Sequence, residues 1–119
     1  AERAGAVLGY AYGGPFRPRP GYRHTVEDSV YVAASAHRQG VGNALLAALI
    51  VECEARDFRQ MIAVIGDSAH VASINLHARH GFSVVATYTM IGHKFGRWID
   101  SVHMQRTLGK GSSEPPSRP

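Results

Sequence analysis

A β-branched strand, a glycine loop and an apolar helix follow one another near the middle of the chain, and this succession limits the folds open to it. Residues 25–33 carry three β-branched valines and predict a strand. Residues 34–42 contain two closely spaced glycines, and residues 41–56 are mostly good helix formers, apolar on most sides. We therefore expect a helix buried against a sheet and reached through a tight loop.

Shorter runs on either side of this unit predict the remaining elements. Residues 61–65 are wholly apolar, as is typical of a central strand, and residues 71–79 favour a short helix that Gly81 ends in a left-handed conformation. Further predicted segments are a strand at 6–12, a Gly/Pro-rich loop at 13–21, and strands at 82–88 and 97–106. The order β, β, α, β, α, β, β predicts an α/β (α+β) fold with a mixed, mostly antiparallel sheet flanked by helices.

The length of the chain sets its domain organisation. With 119 residues the chain is long enough for one domain with one core. We expect that domain to cover residues 1–108. Residues 109–119 combine Gly, Ser and Pro with almost no apolar surface, which predicts a disordered C-terminal tail.

Composition and charge disfavour several classes of protein. No apolar run reaches the roughly 20 residues of a membrane-spanning helix, and the first residues lack the pattern of a secretory signal, so we expect a cytoplasmic location. The single cysteine, Cys53, cannot form an internal disulfide and is expected to be a packing residue. The net charge of +4 comes from scattered basic residues. This pattern argues against nucleic-acid binding and is compatible with a small polyanionic ligand.

Gly40 and Gly42 suggest that the loop could bind an anion. Without Cβ atoms they allow close approach of a ligand, while backbone N–H groups point outward at the positive end of the helix dipole. This arrangement suits a phosphate or pyrophosphate, although glycines at such a turn are often only structural. The Walker pattern and the dinucleotide fingerprint are both absent.

Residues 37–42 (HRQGVG) resemble the pyrophosphate motif Gln/Arg-x-x-Gly-x-Gly/Ala of the GNAT superfamily of N-acetyltransferases, with His37 departing from the usual first residue. Roughly residues 7–108 are similar to one family within it, the phosphinothricin and methionine sulfoximine (or sulfone) N-acetyltransferases. The segments that carry this similarity are 22–32, 58–67, 76–77, 81–82 and 94–98. The resemblance implies an acyl-CoA N-acyltransferase fold and acetyl-CoA as co-substrate, without a metal.

The resemblance also assigns a cofactor site. It implies that one strand offers backbone hydrogen bonds to the pantetheine arm and that the glycine loop holds the pyrophosphate. His70 stands where the family usually has an asparagine. The implied cofactor-binding residues are Val30, Tyr31, Val32, Arg38, Gln39, Gly40, Val41, Gly42, Asn43, His70 and Ser73.

Two residues are expected to move protons. By resemblance, Glu27 is the general base for the substrate amine, and His77 gives a proton to the departing thiolate. Taken without the family, Glu27 reads as a solvated strand carboxylate and His77 as a structural histidine. His77 and His80 have metal-ligand spacing but lack a third ligand at a persuasive distance. The expected substrate-binding residues are Pro20, Gly21, Tyr22, Arg23 and His80.

Members of the family begin with a strand, two helices and a second strand that have no counterpart here, so we expect an N-terminally truncated acetyltransferase domain. The expected partners are acetyl-CoA, a small-molecule amine and a second copy of the chain in a homodimer. Two alternatives stay open. One is an acetyltransferase for another amine, such as a different amino acid or a polyamine. The other is a catalytically silent module for CoA binding or dimerisation.

Overall fold

Five strands form the main sheet in the computed structural model, which describes residues 2–3, 6–7, 9–33 and 40–116. A separate two-stranded ribbon joins β1 (Glu2–Arg3) to β2 (Ala6–Val7). The main strands are β3 (Gly9–Pro15), β4 (Thr25–Val32), β5 (Gln60–Ile65), β6 (Ser83–Lys94) and β7 (Arg97–Thr107). They lie in the order β3-β4-β5-β7-β6, and every neighbouring pair is antiparallel except β4 and β5. The predicted mixed, mostly antiparallel sheet is confirmed.

The parallel pair requires a crossover, and helix α1 (Val41–Ala55) supplies it between β4 and β5. Helix α2 (Val71–Arg79) follows β5. Both helices lie on one face of the sheet, because Val26 of β4 belongs to a buried cluster with Leu46 of α1, and Asp28 of β4 meets His77 of α2. We call this the helix face of the sheet.

Both helices end in the same type of cap. Asp57 adopts a left-handed conformation after α1, and Gly81 does so after α2, as predicted for Gly81. In each case the following phenylalanine donates its N–H to a carbonyl five residues earlier, Phe58 to Cys53 and Phe82 to His77. This is the Schellman arrangement, which satisfies carbonyl groups at the helix end and brings an apolar side chain back to the core.

The core lies between the helix face and the two helices. Its four largest fully buried side chains come from α1, β5, β7 and the residue after β7: Leu46, Met61, Met104 and Leu108. Burying each side chain of this kind contributes roughly 1.5–3 kcal/mol. Cys53 is 4 % exposed within the same cluster, in agreement with its expected packing role.

The first strand of the main sheet begins and ends later than predicted. Residues 6–7 pair with β1, and β3 extends through Gly13 and Gly14 to Pro15, residues that the sequence analysis assigned to a loop. Within the described residues β3 pairs on one side only, with β4. An edge strand tolerates proline because the missing N–H belongs to no ladder, so the Gly/Pro pattern did not mark the strand end.

The β6–β7 hairpin is also longer than predicted. β6 continues past Tyr88 to Lys94 through two irregularities in the pairing with β7. The connection is the two-residue turn Phe95-Gly96, in which both residues have positive φ, as in the tight turns that suit twisted hairpins.

Residues 109–116, expected to belong to a disordered tail, form turns that contact the rest of the protein. The Arg59 guanidinium donates hydrogen bonds to the carbonyl oxygens of Gly111, Glu114 and Pro115 at 2.9–3.1 Å. The Gly109 N–H donates to the Glu54 carboxylate at 2.7 Å. Hydrogen bonds to charged groups therefore hold a segment that has little apolar surface of its own.

In the described part of the chain, neither helix has the length and apolar character needed to cross a membrane.

Candidate active site

β4 and β5 are paired only near the beginning of each strand and separate further along. Their pairing runs from Thr25 opposite Gln60 to Glu27 opposite Ile62, and within the described residues it goes no further. β4 nevertheless continues to Val32, paired with β3 on its other side, while β5 continues against β7. Among the described residues, the edge of β4 from Asp28 to Tyr31 is thus not paired with β5. Backbone groups on such an edge can bind an extended ligand.

Val30, Tyr31 and Val32 lie on this open part of β4, where the sequence analysis expected the pantetheine arm. Val30 and Val32 are partly buried, and Tyr31 is 51 % exposed. The opening lies along the strand from which the family resemblance expects backbone hydrogen bonds to the pantetheine arm. Backbone N–H and C=O groups at such an edge suit an amide-bearing arm.

The glycine loop ends where α1 begins. Gly40 is the N-cap residue, with a φ of 75° in the left-handed region, and a Cβ added there would meet nothing within 4 Å. Glycine supplies no side-chain cap, and the first turn of α1 carries no acidic residue, so the N–H groups of that turn suit an external anion. Arg38, Gln39 and the divergent His37 lie outside the described residues.

Gly42 faces the protein interior. A Cβ added there would lie 3.4 Å from Leu76 Cδ2 and 3.5 Å from Val32 Cγ2, both ordinary van der Waals contacts. The position therefore has room for a methyl group between α1, α2 and β4, but not for a larger side chain. Val41, its neighbour, is buried at 8 % exposure, so its side chain also faces the protein interior. Any contact of these two residues with a phosphate would be made by their backbone.

Asn43 and His80 join the two helices. The Nε2 atom of His80 lies 3.1 Å from Asn43 Oδ1. The pKa of His80 is lowered by burial and by the positive charges of Arg79, His77 and Arg106. At neutral pH His80 therefore favours its neutral form, which can donate one N–H to Asn43. His80, expected in the substrate pocket, contacts the first turn of α1.

His70 and Ser73 lie at the start of α2, next to the end of β5. His70 is the exposed N-cap residue, and its side chain does not cap the helix. Ser73 is half-buried, and its backbone carbonyl accepts a hydrogen bond from the His77 ring. Both residues therefore lie at the N-terminal end of α2.

Glu27 lies at the apex of the opening. It is half-buried, and because strand residues alternate between faces, it points to the face opposite that of the buried Val26 and Asp28. Tyr31 shares this second face of the sheet, where its ring stacks on Tyr10 with centroids 5.2 Å apart. Glu27, the expected base, thus lies on the face of the sheet opposite α1 and α2, which we call the helix-free face, at the point where β4 and β5 separate.

His77 lies on the helix face beside Asp28. Its Nε2 atom is 3.1–3.2 Å from both carboxylate oxygens of Asp28, and its Nδ1 atom is 2.8 Å from the Ser73 carbonyl oxygen. His77 is 3 % exposed and Asp28 is 7 % exposed. The sequence analysis missed Asp28, although a carboxylate between Val26 and Val30 on an otherwise apolar strand face was a visible signal.

Four of the expected substrate residues precede β4 in the chain. Pro20, Gly21 and Tyr22 form one 3-10 turn, and the Arg23 guanidinium donates to the Pro20 carbonyl oxygen at 2.6 Å. Pro20, Tyr22 and Arg23 line a cavity of about 590 Å³ that also reaches Cys53 of α1.

Glu27 is not among the residues that line this cavity, and Gly21 is exposed outside it. The cavity instead combines an apolar floor on the helix face with a rim of arginines: Arg17, Arg19, Arg23 and Arg56. The structure therefore does not bring the expected substrate residues and the expected base into one pocket.

Among the residues described, no three His, Cys, Asp or Glu side chains are grouped as a metal site would need.

Comparisons with known proteins agree with this geometry. Residues 1–82 match the model of the acetyltransferase (GNAT) family. The chain is 53% identical, over 98% of its length, to a phosphinothricin N-acetyltransferase from Alcaligenes faecalis, of which it covers 59%. It is 44% identical, over 97% of its length, to an L-methionine sulfoximine/L-methionine sulfone acetyltransferase from Pseudomonas paraeruginosa, of which it covers 66%. The chain thus spans about three fifths to two thirds of these relatives.

A solved structure gives the same result at the level of the fold. The crystal structure of a GNAT superfamily phosphinothricin acetyltransferase from Sinorhizobium meliloti, in complex with acetyl-CoA, superposes with a TM-score of 0.94 at 48% identity. The match covers 98% of this chain and 63% of that one. The sheet, the two helices and the opening therefore belong to a fold already seen with this cofactor bound.

Proposed function

The chain belongs to the acetyltransferase (GNAT) family, and from this we infer that the protein transfers the acetyl group of acetyl-CoA to the primary amine of a small, amino-acid-like substrate. Phosphinothricin, methionine sulfoximine and methionine sulfone are the candidate substrates, because the relatives that carry these names are 44–53% identical to the chain. The observation that carries the proposal is the opening of β4 from β5 beside the N-terminus of α1.

The residues on the helix side of the opening would hold the cofactor. Acetyl-CoA, when bound, supplies an activated thioester. The backbone of Val30 to Val32 would bind its pantetheine arm, and the amide groups that follow Gly40 would bind the pyrophosphate with help from Arg38 and Gln39. His70 and Ser73 would stand beside the cofactor at the start of α2. The separation of β4 from β5 after Glu27 and the left-handed, open Gly40 support this assignment.

Glu27 would prepare the acceptor. An aliphatic amine is mostly protonated at neutral pH and cannot attack a thioester until a base removes a proton. Glu27 points to the helix-free face, whereas His77 lies on the helix face, and both adjoin the apex of the same opening. An amine that arrives on the helix-free face would meet Glu27, and the thiolate would leave on the side of His77.

The pocket for the rest of the substrate is a separate proposal. Pro20, Gly21, Tyr22 and Arg23 form one turn of the loop before β4, and Arg23 is a cation suited to a substrate carboxylate. His80 was expected in the same pocket, but its contact with Asn43 favours a role in holding the cofactor loop.

Thiol release from acetyl-CoA in the presence of each of the three amines tests the function. We expect Glu27→Gln to lower kcat by on the order of 10²-fold, the usual size of a general-base contribution, with little change in acetyl-CoA affinity. Glu114→Gln is the matched control, because Glu114 is exposed in the last described turn and should leave kcat unchanged. An unchanged kcat in Glu27→Gln across neutral and alkaline pH would show that Glu27 is not the base.

The same assay separates the alternatives. Turnover with another amino acid or a polyamine, but none with these three amines, would redefine the acceptor. Stabilisation by acetyl-CoA without thiol release would favour the silent CoA-binding or dimerisation module.

A homodimer and a cytoplasmic location stay predictions. Exposed apolar side chains on the β6–β7 hairpin, which support self-association, are Tyr88, Met90, Ile91, Phe95 and Trp98.

A further inference from the structure

His77 has both ring nitrogens occupied by protein acceptors. The Ser73 oxygen near Nδ1 is a backbone carbonyl, which can only accept, so Nδ1 must carry a proton. The carboxylate oxygens of Asp28 near Nε2 also accept when ionised, so Nε2 must carry a second proton. The contacts therefore define an imidazolium–carboxylate pair.

The number of protons does not depend on where the shared one lies. If the proton moves to an Asp28 oxygen, Nε2 of His77 becomes the acceptor and the pair still holds two protons. Removing one proton would leave a carboxylate facing a nitrogen lone pair in a site with 3 % and 7 % exposure. Two acceptors without a donor are costly in such a buried place.

The surroundings act on this pair in opposite directions. Burial alone lowers the pKa of His77, but the hydrogen bond to Asp28, the negative charge of Asp28 and the Ser73 carbonyl outweigh it and raise the pKa above its ordinary value. The Phe82 ring packs edge-on against the imidazole, with centroids 4.9 Å apart. Among the described residues, Cys53 of α1 interacts electrostatically with Asp28, and His80, the C-cap residue of α2, interacts with His77. The charges of Arg79 and Arg106 act on His80.

The Asp28–His77 pair lies where β4 separates from β5. Asp28 is the first residue of β4 after its pairing with β5 ends, so the pair connects α2 to the beginning of the opening between the two strands. The Nε2 atom of His77 lies 3.1–3.2 Å from both Asp28 oxygens, so the carboxylate faces the ring nitrogen with both of its oxygens.

We propose that Asp28 is a positioning residue that holds His77 in its doubly protonated form beside the opening between β4 and β5. The inference rests on the proposed acetyl transfer. The amine first loses one proton to solvent through Glu27, which returns to its carboxylate form. As the neutral amine nitrogen then forms the new C–N bond and the thioester C–S bond breaks, Glu27 takes the second proton from the nitrogen and His77 gives its Nε2 proton to the sulfur, so that the products are the amide and the free thiol. His77 keeps its Nδ1 proton on Ser73, and Asp28 favours uptake of the next proton from water.

Titration of the histidine side-chain nitrogens by NMR, on the ligand-free protein, tests the role of Asp28 without turnover. We expect the His77 ring to be mostly doubly protonated at pH 6.5 in the wild type, because its pKa is raised from that ordinary value, and we expect its pKa to fall in Asp28→Asn. Asp100→Asn is the matched control, because Asp100 accepts hydrogen bonds from Ser68 and Met90 at another place in the fold. A neutral His77 ring in the wild type at pH 6.5, or an unchanged titration in Asp28→Asn, would overturn the proposal. If Asp28→Asn does not fold, the wild-type titration decides.

The pH profile of turnover distinguishes positioning from a general structural role. We expect Asp28→Asn to move the alkaline limb of the kcat profile to lower pH, by as many units as the His77 pKa moves, with the KM for acetyl-CoA within about twofold of the wild type. A loss of kcat that is equal at every pH would instead assign Asp28 a structural role and refute the proposal. If the wild type turns over no amine, the proposed function fails while the NMR titration still decides what Asp28 does.

Discussion

Replacing Gly42 separates two explanations of the glycine loop. The pyrophosphate explanation, which the sequence suggests, states that a side chain at this position would take the space of the ligand. The structure instead directs an added Cβ at Leu76 and Val32, at 3.4 and 3.5 Å. Both distances are ordinary van der Waals contacts, so Gly42→Ala should fit. It should change the free energy of unfolding by no more than about 1 kcal/mol, and in the stabilising direction, because alanine is the better helix former.

Gly42→Val adds two methyl groups to a Cβ that is already in contact. Valine has one strongly preferred rotamer in a helix, so it cannot turn both methyls away from Leu76 and Val32. Overpacking of this kind costs typically about 1–3 kcal/mol. The expected order of stability is therefore Gly42→Ala, wild type, Gly42→Val, and the valine variant should bind acetyl-CoA more weakly because α1 is displaced.

Urea unfolding of the three proteins, with and without acetyl-CoA, measures both effects. A ligand present at about 100 times its Kd adds about 2.7 kcal/mol to the stability of the folded state. The alanine variant should keep this increment in full. The packing argument is refuted if Gly42→Ala loses the increment while its unfolding without ligand matches that of the wild type, because Gly42 would then be clearing space for the ligand.

Two further predictions concern stability. Leu108→Ala should lower the free energy of unfolding by about 2–5 kcal/mol, because Leu108 is fully buried at the end of β7, and an unchanged urea midpoint would show that the core ends before it. The raised pKa of His77 implies stability that is fully present below the ordinary pKa of 6.5 and lost as pH rises through the folded-state pKa. Unfolding measured on the alkaline side of pH 6.5 should show this decline in the wild type, and His77→Gln should remove it; a rise with pH would contradict the assignment.

Local patterns in the sequence predict the helices well. α1 begins at Val41, as expected from the glycine loop, and ends one residue before the predicted end at Arg56. Gly81 has the left-handed conformation that its position after α2 demands. These features depend on neighbours within a few positions, so propensity and capping rules are sufficient to find them.

Features that depend on distant residues escape the same rules. The pairing of Asp28 with His77 joins residues 49 positions apart, and only the packing of α2 on β4 brings them together. The strand character of Gly13 to Pro15 arises because β3 lies at an edge of the described sheet. The contacts of residues 109–116 with the rest of the fold include those of the Arg59 guanidinium, which lies 52 positions before Gly111. Such contacts cannot be predicted from the composition of the segment.

The short parallel contact divides the sheet into two leaves, one made of β3 and β4, the other of β5, β7 and β6. Strand hydrogen bonds join the leaves only where Thr25 to Glu27 lie against Gln60 to Ile62, as far as the described residues extend. Motions that part the leaves should cost less free energy than unfolding either leaf, so amide hydrogens along this seam should exchange with solvent earlier than those within the hairpins. A ligand bonded along β4, where β5 has separated from it, would take the place of a strand partner. It should slow amide hydrogen exchange in both leaves.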